Sequence, residues 1–370
     1  MPEGWGGFDE EKYKALLEGL EATEENFSVM AKKERLDSNY AAFPNRKVLK
    51  RIIENKSCKT LGEVVSYISS GHTPYLHDVK SEGDIGFITV ECISDLKLHL
   101  DLLKRITLEQ FQNEFKTNRL VENSVCCTIK RRICKAFPVT KDFGKIAFNQ
   151  DISFFKPKIE IIDPVYLATY LCSRIGQSFA LRQMTEQMNP YISVENLKSL
   201  PVVVLSMSFQ KKISALFESA QNLGESSAQL YKSAETLLLE TLGLSNFEPS
   251  AEPVNVKGFK ESFLSIGRLD AEYYQKKYEE VIAHITKENH DCLKNLVQLK
   301  KSIEPGSDVY SDEGLPFLRV ADYNKFGLTK PDKNLSDTFC AENEELIKKL
   351  KPKKETILFS KDGSVGTAYM

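Results

Sequence analysis

Four cations fall within one short stretch, Lys130, Arg131, Arg132 and Lys135. Arginine in such a cluster contacts phosphate oxygens, or sits bidentate on guanine O6 and N7 in a major groove. The plain alternative is a solvated hairpin tip, because the cluster follows a strand-like run. The surrounding charge is uneven. Net charge is −2, yet positions 96–158 hold thirteen basic and six acidic side chains, while 1–30 hold eight acidic and two basic ones. That asymmetry points to an anionic partner for the middle of the chain. Two further sets could read base edges. His72 and Thr73 lie in the Gly71-His72-Thr73-Pro74 loop, where a structural turn is an equal reading. Arg182, Gln183 and Gln187 lie in a polar stretch expected to be a loop. Amide and guanidinium groups are the usual base-edge readers, but each of these could equally face solvent.

Catalytic chemistry has less to build on. Asn189-Pro190-Tyr191 lacks the second proline of the Asn-Pro-Pro-Tyr motif by which amino-methyltransferases hold a target amine, and no glycine-rich cofactor loop accompanies it. Gly363-Ser364-Val365-Gly366 lacks the Lys-Ser/Thr of a phosphate loop and reads as a turn. His72, His77, His99, His284 and His290 form no triad or metal set. The eight cysteines include no C-x-x-C pair, which argues against zinc. Cys126 and Cys127 read as small core residues. No metal, cofactor or enzymatic activity is expected. The acidic N-terminus has no signal-peptide run and no stretch is apolar enough to span a bilayer, so the expected location is a reducing cytoplasm, away from membranes.

The elements that must position these residues read as a mixed α+β fold. At 370 residues, with 41% hydrophobic and 28% charged side chains, the chain has room for two or three soluble domains. β-like runs are expected at 64–68, 85–90, 125–129, 136–139, 146–148, 152–155 and 202–205. A helix over 163–175 starts from Asp163-Pro164, a cap followed by proline at the first helical position. A shorter helix starts at Ser193, with Ile192 placed to staple onto Leu197. Residues 9–21 read as an acidic amphipathic helix. A long helix from Phe209 to Leu244 carries Ile213, Leu216, Ala220, Leu223, Ser227, Leu230, Ala234, Leu237 and Thr241 at alternating steps of three and four, a narrow heptad seam. Ser206 or Ser208 could cap its start and Gly243 end it. A seam of this kind needs a partner helix, the alternative being a core helix inside one globular domain.

The chain then repeats itself. Arg35-Leu36-Asp37 returns as Arg268-Leu269-Asp270, Leu61-Gly62 as Leu296-Val297, Phe87-Ile88-Thr89-Val90 as Phe317-Leu318-Arg319-Val320, and Ser124-Val125-Cys126 as Thr356-Ile357-Leu358. The offset stays near one domain plus a helix. The expected segments are an acidic helical part at 1–34, a first domain at 35–205, a long helix at 206–244, a linker at 245–262 and a partial second copy of the domain at 263–370.

This order of motifs resembles the specificity subunit of Type I restriction–modification enzymes. Added support comes from Asn189-Pro190-Tyr191-Ile192-Ser193 before Leu197-Lys198-Ser199-Leu200-Pro201-Val202-Val203, and from Gln210-Lys211-Lys212-Ile213 opening the long helix. The resemblance implies two target-recognition domains reading a bipartite duplex DNA site, each followed by a long helix, the two helices pairing antiparallel as a ruler. It also implies a non-catalytic subunit that holds modification subunits and, through them, the restriction subunit. The chain departs from the pattern where the second copy stops at Met370, before any equivalent of the 163–175 helix, so a truncated second domain is the expectation. The first domain also has Lys130-Arg131-Arg132-Ile133 where the second has Lys361-Asp362-Gly363-Ser364-Val365-Gly366. Expected DNA contacts in the second copy are Arg319, Lys361 and Ser364. With no second long helix, the seam of Ile213, Leu216, Ala220, Leu223, Leu230, Ala234 and Leu237 is expected to take an antiparallel second copy or a modification-subunit helix. A protein–protein adaptor without DNA binding and the recognition part of a fused restriction–methyltransferase are the alternatives.

Overall fold

The computed structural model describes residues 9–18, 26–28, 46–54, 57–73, 83–115, 120–185 and 190–370. Arg35-Leu36-Asp37, Gln187 and Asn189 lie outside them, as does Leu20 of the expected N-terminal helix. What is described of that helix is α1, Glu10–Leu17, capped by the Asp9 carboxylate on the Glu11 and Lys12 amides. The chain divides into two compact units, Met1–Asn222 and Leu223–Met370.

In the first unit, α2 (Arg46–Ile53) leads to β1 (Cys58–Thr60), the single turn α3 (Leu61–Val64) and β2 (Val65–Ser70). β3 (Ile85–Ile88), the hairpin β4 (Ile93–Ser94) and β5 (Lys97–Leu98), β6 (Lys104–Ile106) and α4 (Leu108–Glu114) follow. Then come β7 (Ser124–Thr128), β8 (Ala136–Val139), β9 (Ile146–Phe148) and β10 (Ile152–Pro157). The unit closes with α5 (Pro164–Cys172), α6 (Arg174–Gln183), α7 (Val194–Lys198) and β11 (Pro201–Val203). All seven strand-like runs expected from the sequence are strands, with ends shifted by a few residues.

The main sheet is antiparallel in the order β2-β10-β7-β8, and a smaller one runs β6-β3-β9 with β3 and β9 parallel. Both faces of the main sheet are covered. Val125, Cys127 and Phe155 point into a core shared with α3, α5, α6 and α7, while Cys126, Ile152 and Phe154 point into a second core with Ile88, Phe137 and Phe148. A sheet buried on both sides needs near-continuous apolar strands rather than alternation, which is why Val125-Cys126-Cys127 reads as one run. Each buried Phe, Ile or Leu there contributes about 1.5–3 kcal/mol.

The helix expected over 163–175 is two helices. Ser173 ends α5 and its hydroxyl accepts from the Gly176 amide to cap α6. A Cβ at Gly176 would overlap the Tyr170 carbonyl, so the tight corner requires glycine. Arg182 and Gln183 therefore sit on the last turn of α6 and not in a loop.

α8 spans Met207–Thr241, 35 residues and about 50 Å at 1.5 Å per residue. Gly243 takes the left-handed backbone at φ 66°, as the sequence leads one to expect. The hydroxyls of Ser206 and Ser208 bond each other at 3.1 Å at its start.

The second unit repeats part of the first. It contains α9 (Phe263–Ile266), α10 (Lys276–Ile285), α11 (Leu293–Leu296), β12 (Tyr310–Ser311), β13 (Leu315–Pro316), the hairpin β14 (Tyr323–Asn324) and β15 (Gly327–Leu328), β16 (Asn334–Leu335), α12 (Asp337–Glu342), α13 (Glu344–Leu350), β17 (Leu358–Phe359) and β18 (Ala368–Tyr369). The 3-10 turn Val90–Cys92 and the hairpin after it recur as Val320–Asp322 and β14–β15. One sequence alignment needs correcting: α11 places Leu293, not Leu296, opposite Leu61. In the second copy Arg268 holds Asp270 through two bonds, Nε at 2.7 Å and Nη2 at 2.5 Å, and stacks over Tyr273 at 4.2 Å.

Candidate DNA interface

The β7–β8 hairpin carries the basic cluster, and a hydroxyl shapes its tip. Thr128 Oγ1 donates to the Arg132 carbonyl and accepts from the Lys135 amide at 3.0 Å, while the Cys134 amide donates to the Thr128 carbonyl at 2.8 Å. The turn this closes requires left-handed backbone at Arg131 (φ 60°) and Cys134 (φ 53°). The same turn occurs in the second copy. Ser360 Oγ donates to the Ser364 carbonyl, the Thr367 amide donates to Ser360 Oγ at 3.0 Å, and the left-handed residues are Gly363 and Gly366.

Backbone bonds bring other segments to this tip. The Ile129 amide donates to Asp151 and the Ile192 amide to Ile129, the Arg131 amide reaches Pro190, and Lys130 bridges Tyr191. Thr185 also bridges Tyr191, and Asn196 Nδ2 donates to the Gln183 carbonyl at 3.3 Å. On the other side, the Gly71 and His72 amides bond the carbonyls of Ile152 and Phe148. A Cβ at Gly71 would overlap the carbonyls of Asn149 and Phe148, which fixes glycine before His72. His72 Nε2 lies 3.5 Å from Glu114, its ring meets Phe115 edge-on at 5.6 Å, and Thr73 is exposed. The sets 71–73, 130–135 and 182–183 are thus linked through the turn 149–151 and the returning segment 190–192.

The cluster is less cationic than its sequence. Lys130 pairs with Asp151 at 2.9 Å, Arg131 with Glu91 at 3.3 Å and Lys135 with Asp95 at 3.0 Å. Among the described residues Arg132 has no ion pair, and it is exposed. The Thr89 hydroxyl, the Glu91 amide and the nearby Arg131 and Lys104 hold the Glu91 carboxyl below its ordinary pKa, against a smaller rise from burial. Glu91, Asp95 and Asp151 lie far from the cluster in sequence or across a turn, so counting charges along a segment does not find them.

In the second copy Arg319 is committed to structure. Its amide donates to Asp322 at 2.8 Å, its Nε does so at 3.3 Å, and its Nη2 meets Asp332. Lys361 pairs with its neighbour Asp362, and the Ser364 side chain is exposed.

A second polar centre escaped the sequence reading. The Asp163 carboxylate caps α5 on the Val165 and Tyr166 amides, and also takes the Ser214 hydroxyl at 2.6 Å and Lys211 Nζ at 3.0 Å. Gln210, fully buried, accepts from the Asp163 amide at 2.7 Å and donates to the Ile161 and Leu205 carbonyls. This fastens the start of α8 to the domain. Burial pushes the Asp163 pKa up, but the bonds from Ser214, Lys211 and the Tyr166 amide outweigh it and hold the group below its ordinary value. The signal was present as a capping Asp-Pro and as Gln210-Lys211, but nothing in the sequence joined them.

The family described as the Type I restriction modification DNA specificity domain matches residues 53–235. Residues 53–235 are a Type I specificity domain. The match runs from the end of α2 into α8, so the whole linked surface above belongs to it. Among solved structures, the S subunit of a Type I restriction-modification system from M. genitalium aligns over 85% of this chain and 69% of its own, at 13% identity and TM-score 0.41. The HsdS subunit from Thermoanaerobacter tengcongensis aligns over 53% of this chain and 50% of its own, at 17% identity and TM-score 0.33. A structure from a study of complex assembly and conformational transition of the type I R-M system aligns over 54% of this chain and 46% of its own, at 16% identity and TM-score 0.33. The chain therefore spans about half the length of two of these three. No curated protein matches it. No described helix is long and apolar enough to cross a membrane.

Proposed function

We propose that this chain is the non-catalytic DNA-recognition subunit of a Type I restriction–modification complex, reading one half of a bipartite duplex site through its specificity domain. The observation that supports this most is the gathering of the 71–73 loop, the 130–135 hairpin tip and the end of α6 on one linked surface of a domain of that family. Arg132 is the cation free to reach a phosphate or a base edge, and His72, Thr73 and Gln183 are the neutral candidates. A salt titration on duplex DNA tests it, because phosphate contacts make affinity fall steeply with salt. Arg132→Ala should lower the salt slope by about one unit if Arg132 meets a phosphate, or cost about 1–3 kcal/mol at one base position if it reads a base. Salt-independent or undetectable binding, with modification subunit present, removes the reading. An adaptor that does not bind DNA is then the better account, and the three neutralised cations favour it.

We propose further that the chain scaffolds the modification subunits, and the seam of α8 supports this. Leu216, Leu223, Leu230 and Leu237 are 64–71% exposed at seven-residue intervals, and Ala220 and Ala234 are exposed with them. Ile213 differs, being half-buried against the first core. Covering each leucine is worth about 1.5–3 kcal/mol, so a helix from a second copy or from a modification subunit belongs there. A symmetric pair of copies prefers a palindromic bipartite site. Sedimentation with and without Leu223→Lys and Leu230→Lys measures this. A wild-type monomer at micromolar concentration that takes up no modification subunit sinks it.

A further inference from the structure

The two copies of the hairpin turn differ in a pair of residues that occur together. Arg131 stands at a left-handed position of the first turn and Gly363 at the same position of the second. The 3-10 turn ahead of the β4–β5 hairpin is Val90-Glu91-Cys92, and its counterpart is Val320-Ala321-Asp322. The first copy thus has a guanidinium and a carboxylate where the second has neither.

Arg131 Nη1 lies 3.3 Å from Glu91 Oε1, with the two side chains 67% and 59% exposed. An exposed pair of this kind contributes little in water, less than a side chain in the left-handed region costs. The pair therefore does not account for an arginine at this place. Backbone strain that local contacts do not offset is found where a residue serves a function.

How the arginine is held indicates which contact it is suited to make. The Thr89 hydroxyl and the Glu91 amide fix the carboxylate, and the Arg131 amide donates to the Pro190 carbonyl at 3.4 Å. Among the described residues only Nη1 of the guanidinium has a hydrogen-bond partner, so the edge formed by Nε and Nη2 stays open. Glu91 cancels the local charge that would draw a phosphate, and leaves a planar fork suited to a neutral pair of acceptors. Guanine presents such a pair, O6 and N7, on its major-groove edge. Arg132, exposed and without an ion pair among the described residues, is the phosphate contact beside it.

On the DNA-recognition reading above, on which this rests, we propose that Arg131 reads a guanine in the half-site and that Glu91 is the positioning residue that holds its fork. One G·C pair then stands at a fixed place in the half-site of the first domain. The second copy, with Gly363 and Ala321, lacks this reader.

The test uses the full chain with modification subunit present, and a duplex library with randomised positions as the probe. Wild type should enrich sequences that share an invariant G·C pair. Arg131→Gly, which matches the second copy, should lower discrimination at that pair roughly ten- to hundredfold and keep the other enriched positions. Glu91→Gln should relax the same pair without any fall in affinity for random duplex, a combination that a merely structural role does not give. Arg132→Ala should instead weaken all sequences alike. Thermal melts establish that each variant is folded. If Arg131→Gly and Glu91→Gln enrich the same sequences as wild type with the same discrimination, the assignment is overturned. If only Arg131→Gly relaxes the pair, Glu91 is not its positioning residue. If wild type enriches no sequence, the DNA-recognition reading itself fails and the assignment falls with it.

Discussion

Arg131 and Gly363 hold the same backbone position in the two copies, both left-handed, at φ 60° and 70°. Glycine occupies that conformation without strain, whereas a side chain costs about 1–2 kcal/mol. The first copy keeps arginine there, aimed at Glu91. Arg131→Gly should therefore leave stability level or raise it by about 1 kcal/mol, since the exposed pair it loses is worth about 0–1 kcal/mol. Denaturant midpoints at unchanged m-value check this. A loss above about 1 kcal/mol would mean that the arginine holds the hairpin. Gly363→Val should destabilise the second unit, the reverse sign.

Glu91 pairs with Arg131 at the hairpin tip, 3.3 Å away. Glu91→Gln frees Arg131 and removes a negative charge from the surface, so affinity for random duplex should rise several-fold at low salt and the salt slope should steepen. The same change should leave binding untouched if the hairpin tip does not approach phosphate. Asp95→Asn, which frees Lys135, should act in the same direction.

The junction between the specificity domain and α8 should be sensitive to acid. Asp163 has a lowered pKa, so its contribution is complete above its unfolded value of about 3.9 and is lost as pH falls through the lower folded value. Asp163→Ala should cost about 2–4 kcal/mol at neutral pH, from the cap and the charged bonds together. The difference between wild type and variant should shrink below about pH 4. A difference that is constant down to pH 2 would contradict the assignment.

Gln210→Ala should cost about 1–3 kcal/mol, because it leaves the Asp163 amide and the Ile161 and Leu205 carbonyls without a partner in a buried place. Gln210→Glu should be worse, since it sets an acceptor-only group against two carbonyls. Thermal melts of the two variants rank them.

The strands themselves, though not their order in the sheet, were legible because both faces of the main sheet are buried. Ile152 to Phe155 and Val125 to Cys127 are apolar runs bounded by turns, and the cap at Asp163-Pro164 marks a helix start by itself. Short elements were not legible. β4, β5 and β6 have two or three residues, too few for a period, and Ser173 splits what the apolar spacing joins. The site divided along the same line. Residue types at 130–135 are visible in sequence, but their neutralisation by Glu91, Asp95 and Asp151 is a matter of contacts about 20 to 40 positions apart. The repeat was found from matching residues, and the left-handed positions behind it belong to backbone geometry that residue identity shows only where glycine is present.

An isolated helix frays from its ends, because its last amides and carbonyls lack partners. In α8 each end is instead tied within its own unit. Gln210 and Ser214 hold the start. Near the finish, Lys325 Nζ lies 3.0 Å from Glu235 and 4.2 Å over the Tyr231 ring. Between them residues 218–230 are exposed throughout and include Gly224, Ser226 and Ser227, all poorer helix formers than alanine. The order of opening is thereby inverted. Amide protons at the centre of this helix should exchange before those near its termini, and limited proteolysis should cut first beside Gly224.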